Sequence, residues 1–285
     1  MEKYSFLASI YKNTKIDEME VCVESMINQT VPPEQIVIVI DGPIGNELLD
    51  YVNDLKEKAP ELYTLVPLET NHGLGLALRE GMLYCRNEFV ARIDTDDINV
   101  LDRCEKQLAI MMEDPSLSVC GSNIKEFIGD VTNIVAERVV PEKHEDICKY
   151  LKKRCPINHM TAMLRKSDVE KAGGYLHWHY NEDSYLWARM YLARCRFYNI
   201  QESLVYARVG KEMYQRRGGY KYYKSERDLF RFMRKNKIIN GIEYLVAVMI
   251  RFVVQVLMTN RVRQWFFKTF ARSTKKVKGT TQKVN

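Results

Sequence analysis

The chain of 285 residues predicts an α/β protein, a mostly parallel sheet flanked by helices, carrying an amphipathic helical appendage at its C-terminus. Three observations carry that prediction. From Tyr4 to Asp97, short apolar runs alternate with segments of helical spacing, the pattern of parallel strands joined by crossover helices. Ile36-Val37-Ile38-Val39-Ile40 has no polar alternation, which suits a strand covered on both faces. Finally, Phe89-Val90-Ala91-Arg92-Ile93 stops abruptly at Asp94-Thr95-Asp96-Asp97, so a strand delivers acids to the open end of the sheet, where such sheets bind ligands.

Tyr4 to Ile10 reads as a first buried strand followed by a polar loop. Ile16, Met19, Val23, Met26 and Ile27 then recur at helical spacing as far as Asn28, and Pro32-Pro33 closes that helix. The strand through Ile40 ends at the turn Asp41-Gly42-Pro43. Residues 47–58 read as a helix, 63–68 as a third strand, Asn71-His72-Gly73-Leu74-Gly75 as a loop, and 76–85 as the next helix. Gly73 and Gly75 before a helix admit a phosphate close to the backbone, or simply make a turn. Beyond the acids, 101–112 predicts a helix, 117–121 a strand, 124–140 a hairpin or irregular strands, and 145–153 a helix. Tyr185 to Leu192 has helical apolar spacing.

Seven cysteines, odd in number, scattered and without a C-x-x-C pair, point to a reducing compartment and away from zinc. The first residues lack the cationic start and long apolar run of a signal peptide, so a cytoplasmic location is expected. The net charge of +6 is unevenly placed: no acid follows Glu243, the nine Lys and Arg beyond it contribute +9, and the first 243 residues carry −3. The basicity therefore belongs to the appendage and says nothing about the ligand of the main domain.

The acids have two readings. Crowded carboxylates repel one another and are costly to desolvate without a cation, and hard oxygen ligands suit Mg2+ or Mn2+ bridging to phosphates. Equally, they suit the N-terminal end of the helix that follows. Glu182-Asp183 is similarly open, either a general base kept apart from the metal or a favourable helix start. His159, alone in Pro156-Ile157-Asn158-His159-Met160-Thr161, is by itself more typical of a structural histidine. Arg216 and Arg217, ahead of Gly218-Gly219 in a tyrosine-rich segment, suit closure over phosphates, or a solvated basic loop.

With Ile38-Val39-Ile40-Asp41-Gly42, Asn71-His72-Gly73-Leu74-Gly75, Arg92-Ile93-Asp94-Thr95-Asp96-Asp97, Asn158-His159, Gly173-Gly174-Tyr175 and Glu182-Asp183-Ser184-Tyr185-Leu186-Trp187 in this order, the chain resembles the family 2 glycosyltransferases of GT-A fold. The likeness is to their bacterial branch of exopolysaccharide, capsule and O-antigen enzymes, including the amylovoran type. The resemblance implies that Ser9 and Tyr11 line the nucleotide pocket and that Asp41 accepts a hydrogen bond from the base or sugar of a uridine diphosphate donor. Asp94 and Asp96 match the D-x-D element that touches the ribose and holds Mn2+ or Mg2+ on the diphosphate. Asp183 matches the general base, with Glu182 beside it and His159 and Trp187 on the acceptor side. The sequence departs from the family at Ile40, where relatives often carry a first acid. It departs again at Leu78, where relatives often carry an arginine; here Arg79 follows one position late as the donor-binding cation.

The resemblance thus implies an inverting hexosyltransferase that uses a nucleotide diphosphate sugar and a lipid-linked, polyprenyl diphosphate saccharide acceptor. Its catalytic domain is expected over residues 1–235, with a nucleotide-sugar half to about 120 and an acceptor half beyond, and a membrane-associating tail over 236–285. A nucleotidyltransferase, or a non-catalytic nucleotide-sugar-binding partner of a polysaccharide assembly complex, is the rival. In the tail, Arg251 and Gln255, with Thr259 and Arg263, form one i, i+4 polar stripe in an otherwise apolar stretch from Tyr244 to Met258. That stretch is short for a spanning helix and suits one lying in the plane of an anionic membrane surface. A core or oligomer-interface helix, or a nucleic-acid-binding tail, are the other readings; peripheral attachment to the inner face of the cell membrane, with no nucleic-acid partner, is the expectation.

Overall fold

The computed structural model describes residues 2–210, 218–259 and Val262. Strands β1 (Tyr4–Ile10), β2 (Gln35–Ile40), β3 (Tyr63–Pro67) and β4 (Phe89–Arg92) pair in parallel in the order β3-β2-β1-β4, as the alternation predicts. Helices α1 (Ile16–Ile27), α2 (Asn46–Lys58) and α3 (Leu74–Tyr84) make the crossovers.

Alternation along the buried strands feeds two cores. Phe6, Ala8, Ile36, Ile38 and Ala91 pack with Met19, Cys22 and Met26 of α1 and Val52 of α2. Leu7, Val37, Val39 and Val90 face the other way, onto Ala77, Leu78 and Met82 of α3. Each such side chain removed from water contributes roughly 1.5–3 kcal/mol, so both layers hold the strands in register. Gly81 lets α3 press down on the sheet, because a Cβ there would lie 2.5 Å from both Leu7 and Val39 side chains.

Past β4 the sheet becomes mixed. The short β5 (Ile98–Asn99) precedes α4 (Arg103–Glu113), and β6 (Leu117–Phe127) runs on well beyond the predicted end at Gly121. The residues after it form the expected hairpin with β7 (Ile134–Arg138). Helix α5 (His144–Leu151) leads to a 3-10 turn (His159–Thr161), β8 (Met163–Arg165) and α6 (Lys166–Lys171). Helix α7 (Glu182–Leu192) is followed by β9 (Arg196–Arg208), and the sheet order completes as β4-β8-β6-β9-β5. β9 pairs with β6 in parallel along nearly its whole length and with β5 antiparallel at its far end.

Helix α8 (Tyr220–Lys235) adds Leu229, Phe230 and Met233 to the core shared by α3 and α7. Helix α9 (Gly241–Phe252) starts at a capping box between Asn240 and Glu243 and continues as a π-helical turn, Val253–Leu257. It folds back along α8, with Tyr223 edge-on to Phe252 at 5.4 Å. Among the described residues no helix is long and apolar enough to cross a membrane.

Candidate active site

Because β1, β2 and β4 are parallel, their C-terminal ends reach one edge together, bringing Ser9 and Tyr11, Asp41, and Asp94 to Asp97 to the same rim. Ser9 is half-buried and Tyr11 is exposed. Asp41 is buried and already engaged: its Oδ1 accepts from the His72 N–H at 2.7 Å, and its Oδ2 from Asn71 Nδ2 at 2.9 Å and from the Gly73 N–H at 3.0 Å. The carboxylate thus fixes the 71–73 loop in front of α3. Gly73 takes a φ of +82° there, a conformation costly to any side chain with a Cβ. Leu78, where the sequence resemblance leads one to expect an arginine, is buried in the core; Arg79, next on the helix, is exposed.

The acidic loop rests on a buried cation. Arg92, 1 % exposed, donates from Nη1 to Asp94 Oδ2 at 2.8 Å and from Nη2 to Asp94 Oδ1. A fully buried guanidinium needs such a bidentate partner, and the carboxylate supplies it. Behind it, Asp97 accepts from the Arg208 N–H at 2.8 Å, and Arg208 Nε donates to the Asp96 carbonyl at 3.2 Å. β9 therefore pins the back of the loop. Asp96 keeps its side chain exposed to solvent, but the protein packed around the loop and the Asp94 charge push its carboxyl up to about 6. Burial, with Asp96 and Asp94 nearby, holds Asp97 well above the carboxylate range, and its Oδ2 has no hydrogen-bond partner among the described residues.

This donor set fits a hard divalent cation. Carboxylates raised by burial and mutual repulsion are those whose ionised form a cation would favour, and oxygen is the ligand that Mg2+ and Mn2+ prefer. No group of three acids, histidines or cysteines is preassembled to hold a metal among the described residues, so other ligands would have to come from the diphosphate.

Helix α7 brings the second acidic pair to the same place. Burial and the Asp183 charge push Glu182 up to about 7, and both Arg92 and Asp94 act on it electrostatically. Asp183 has a partner at each oxygen: Oδ1 accepts from the Ser184 N–H at 2.6 Å, and Oδ2 lies 3.2 Å from Cys155 Sγ, whose one proton is shared with the Ile157 carbonyl, also at 3.2 Å. Gly75 permits the approach, since a Cβ there would fall 2.7 Å from the Leu176 carbonyl and 3.1 Å from Glu182 Cβ.

His159 is buried, with Nε2 2.8 Å from Tyr175 Oη, and desolvation beside Arg92 holds it well below the usual histidine range and therefore neutral. Trp187, expected to pack the acceptor side, reaches the site only through His159 among the described residues. It is fully buried, edge-on to His159 at 6.0 Å, so it supports the site from within the core. Arg216 and Arg217 lie outside the described residues. Sequence reasoning missed Arg92 and Tyr175 as parts of this site, although a lone arginine inside a buried apolar strand is itself a signal that a carboxylate must lie close by.

The description "Glycosyl transferase family 2" matches residues 8–170. The amylovoran biosynthesis glycosyltransferase AmsE of Erwinia amylovora is 34 % identical over 93 % of this chain and 98 % of its own. An Escherichia coli protein named UDP-Gal:alpha-D-GlcNAc-diphosphoundecaprenol beta-1,3-galactosyltransferase is 31 % identical over 95 % of this chain and 97 % of its own. Among solved structures, S. aureus TarS 1-349 in complex with UDP-GlcNAc superimposes with a TM-score of 0.65 at 17 % identity, covering 93 % of this chain and 79 % of that one, a likeness of fold. With an acid-lined rim on a GT-A sheet and full-length likeness to bacterial polysaccharide glycosyltransferases, the chain belongs to glycosyl transferase family 2.

Proposed function

We propose that the protein is an inverting, divalent-metal-dependent hexosyltransferase that moves a hexose or N-acetylhexosamine from a UDP-sugar to a polyprenyl diphosphate-linked saccharide in cell-surface polysaccharide assembly. The observation that carries this reading is the convergence of α7 on the acidic loop. Glu182, next to Asp183, lies within the electrostatic reach of both Arg92 and Asp94. The full-length relative whose name specifies UDP-Gal and a diphosphoundecaprenol acceptor supports the donor and acceptor classes.

In this reading Asp183 takes the proton of an acceptor hydroxyl as that oxygen attacks the anomeric carbon from the face opposite the diphosphate. The new carbon–oxygen bond forms while the bond to the phosphate oxygen breaks. The nucleoside diphosphate leaves with the electron pair, and the configuration inverts. Cys155 and the Ser184 N–H keep the Asp183 carboxylate fixed. Asp94 and Asp96 would hold Mn2+ or Mg2+, which when bound supplies positive charge against the departing diphosphate. Ser9, Tyr11 and Arg79 face the donor, and Asp41 shapes its pocket through the 71–73 loop. A lipid-linked acceptor suits an enzyme attached at the inner face of the cell membrane.

The test is release of nucleoside diphosphate from a panel of nucleotide sugars with Mn2+ or Mg2+ and membrane extract as acceptor source, comparing wild type with Asp183→Asn. Turnover of one donor by wild type alone supports the reading. Equal turnover by the variant, or undiminished activity in chelator, counts against it.

A further inference from the structure

Helix α9 and its π-helical extension are amphipathic in the reverse sense. Arg251 faces the body of the protein, with Nε 3.3 Å from Glu226 Oε2, its guanidinium 4.0 Å over the Phe230 ring, and Nη2 donating to the Lys153 carbonyl at 2.7 Å. Gln255, one turn on, is buried and bonds the same Glu226. Arg251 and Gln255 are thus consumed in attaching the helix to α8; Thr259 is exposed, and Arg263, like residues 264–285, lies outside the described residues. The opposite side turns Ile242, Leu245, Val246, Met249, Ile250 and Leu257 outward, with Ile242 74 %, Met249 67 % and Leu257 63 % exposed. From Ile242 to Ile250 these residues recur at three and four positions, and Val253, 44 % exposed, carries the apolar face on to Leu257.

At the start of that face lies a shallow cavity of about 480 Å³ lined by Lys152, Arg234 and Lys237 together with Asn240 and Glu243. Its three cations outweigh the one carboxylate. The charge complement of an apolar ridge with cations at its end is an anionic interface with a fatty interior. We propose that this face docks the protein on an anionic phospholipid surface, with α9 lying in the membrane plane and Lys152, Arg234 and Lys237 meeting lipid phosphates. The 17 residues from Gly241 to Leu257 span about 25 Å, long enough to lie along the surface. The proposal extends the transferase reading by naming the face turned to the membrane, and its observations do not depend on that reading.

The test is co-sedimentation of the full chain with vesicles of phosphatidylcholine alone and of phosphatidylcholine with phosphatidylglycerol. Wild type should pellet with the anionic vesicles. Leu245→Glu/Met249→Glu should weaken partitioning at least about ten-fold, from the lost apolar insertion. Arg234→Gln and Lys237→Gln should each weaken it about five-fold, on anionic vesicles only. All these side chains are exposed, so thermal melts should match wild type. The proposal is overturned if the variants pellet like wild type. It is also overturned if wild type shows no preference for anionic vesicles, or if it is a dimer that Met249→Glu dissociates and that ignores vesicles. Absence of sugar transfer with vesicle binding intact would count against the transferase reading alone.

Discussion

Arg92, the last residue of β4, and Asp94, two residues on in the acidic loop, are joined by a bidentate ion pair with the guanidinium 1 % exposed. Removing either partner leaves a buried charge uncompensated, which costs about 3–5 kcal/mol where both groups are buried and less here, since Asp94 keeps some solvent contact. Arg92→Met should therefore lower stability by about 2 kcal/mol or more in urea titration, and Asp94→Asn should destabilise through the same unpaired guanidinium. Arg92→Lys should recover part of the loss, lacking the fork that meets both oxygens.

The Cys155 thiol donates to Asp183 and has no other evident part in the chemistry. Asp183→Asn should reduce kcat by roughly 10²- to 10⁴-fold, the usual contribution of a general base, with donor binding retained. Cys155→Ala should cost far less, a few-fold in kcat, and Cys155→Ser should recover that loss, since a hydroxyl can donate to the same oxygen. Full activity in Cys155→Ala would reduce the thiol to packing.

Glu182 sets a dependence of stability on pH. Its carboxyl is raised from 4.5 to about 7 in the folded protein, chiefly by burial and then by Asp183. A raised acid binds its proton more tightly when folded, so its stabilising effect is complete below about 4.5 and is lost as pH rises through about 7. The ligand-free protein should lose on the order of 2–3 kcal/mol from this group across that window. Glu182→Gln should flatten the corresponding slope in melting temperature against pH. A wild-type melting temperature that is level between pH 5 and pH 8 would argue that the carboxyl is ordinary.

Gly75 is the contact point between α3 and the start of α7. Gly75→Ala would place a methyl 2.7 Å from the Leu176 carbonyl, a backbone atom that cannot swing aside. The acidic pair of α7 should shift by a few tenths of an ångström or more, and kcat should fall about ten-fold or more, because a base displaced from its proton loses most of its effect. The fold should survive, as circular dichroism would show.

Much of the donor half was legible because its strands are local apolar runs ending in acids, and its helices repeat apolar residues at i, i+3 and i+4. Beyond residue 120 the β6–β7 hairpin and helices α5 and α7 were legible too, but β8, α6 and β9 were not. β9 interleaves Arg196, Asn199, Gln201, Glu202 and Ser203 with its apolar residues, and it is a strand because β6, some 80 positions earlier, offers a partner edge. Asp41 hid its role for a similar reason: the amides it grips lie 31 and 32 residues downstream, and no local pattern announces them. Arg251 and Gln255 were readable as a stripe. Which side of that stripe faced inward depended on Glu226 and Phe230 of another helix.

The long pairing of β6 with β9 has a consequence for how the protein is assembled and inherited. β9 closes the sheet beyond β6, pairs with β5 next to the acidic loop, and supplies the Arg208 amide that Asp97 requires. A fragment that stops before residue 196 would keep every D-x-D acid yet lose the strand that shapes their loop. During synthesis the nucleotide-binding strands emerge first, but their loop has no rear wall until some 110 further residues have left the ribosome. The two halves are therefore interlocked and not interchangeable modules, and a change of sugar specificity in this lineage should come from side-chain substitution rather than from exchange of halves.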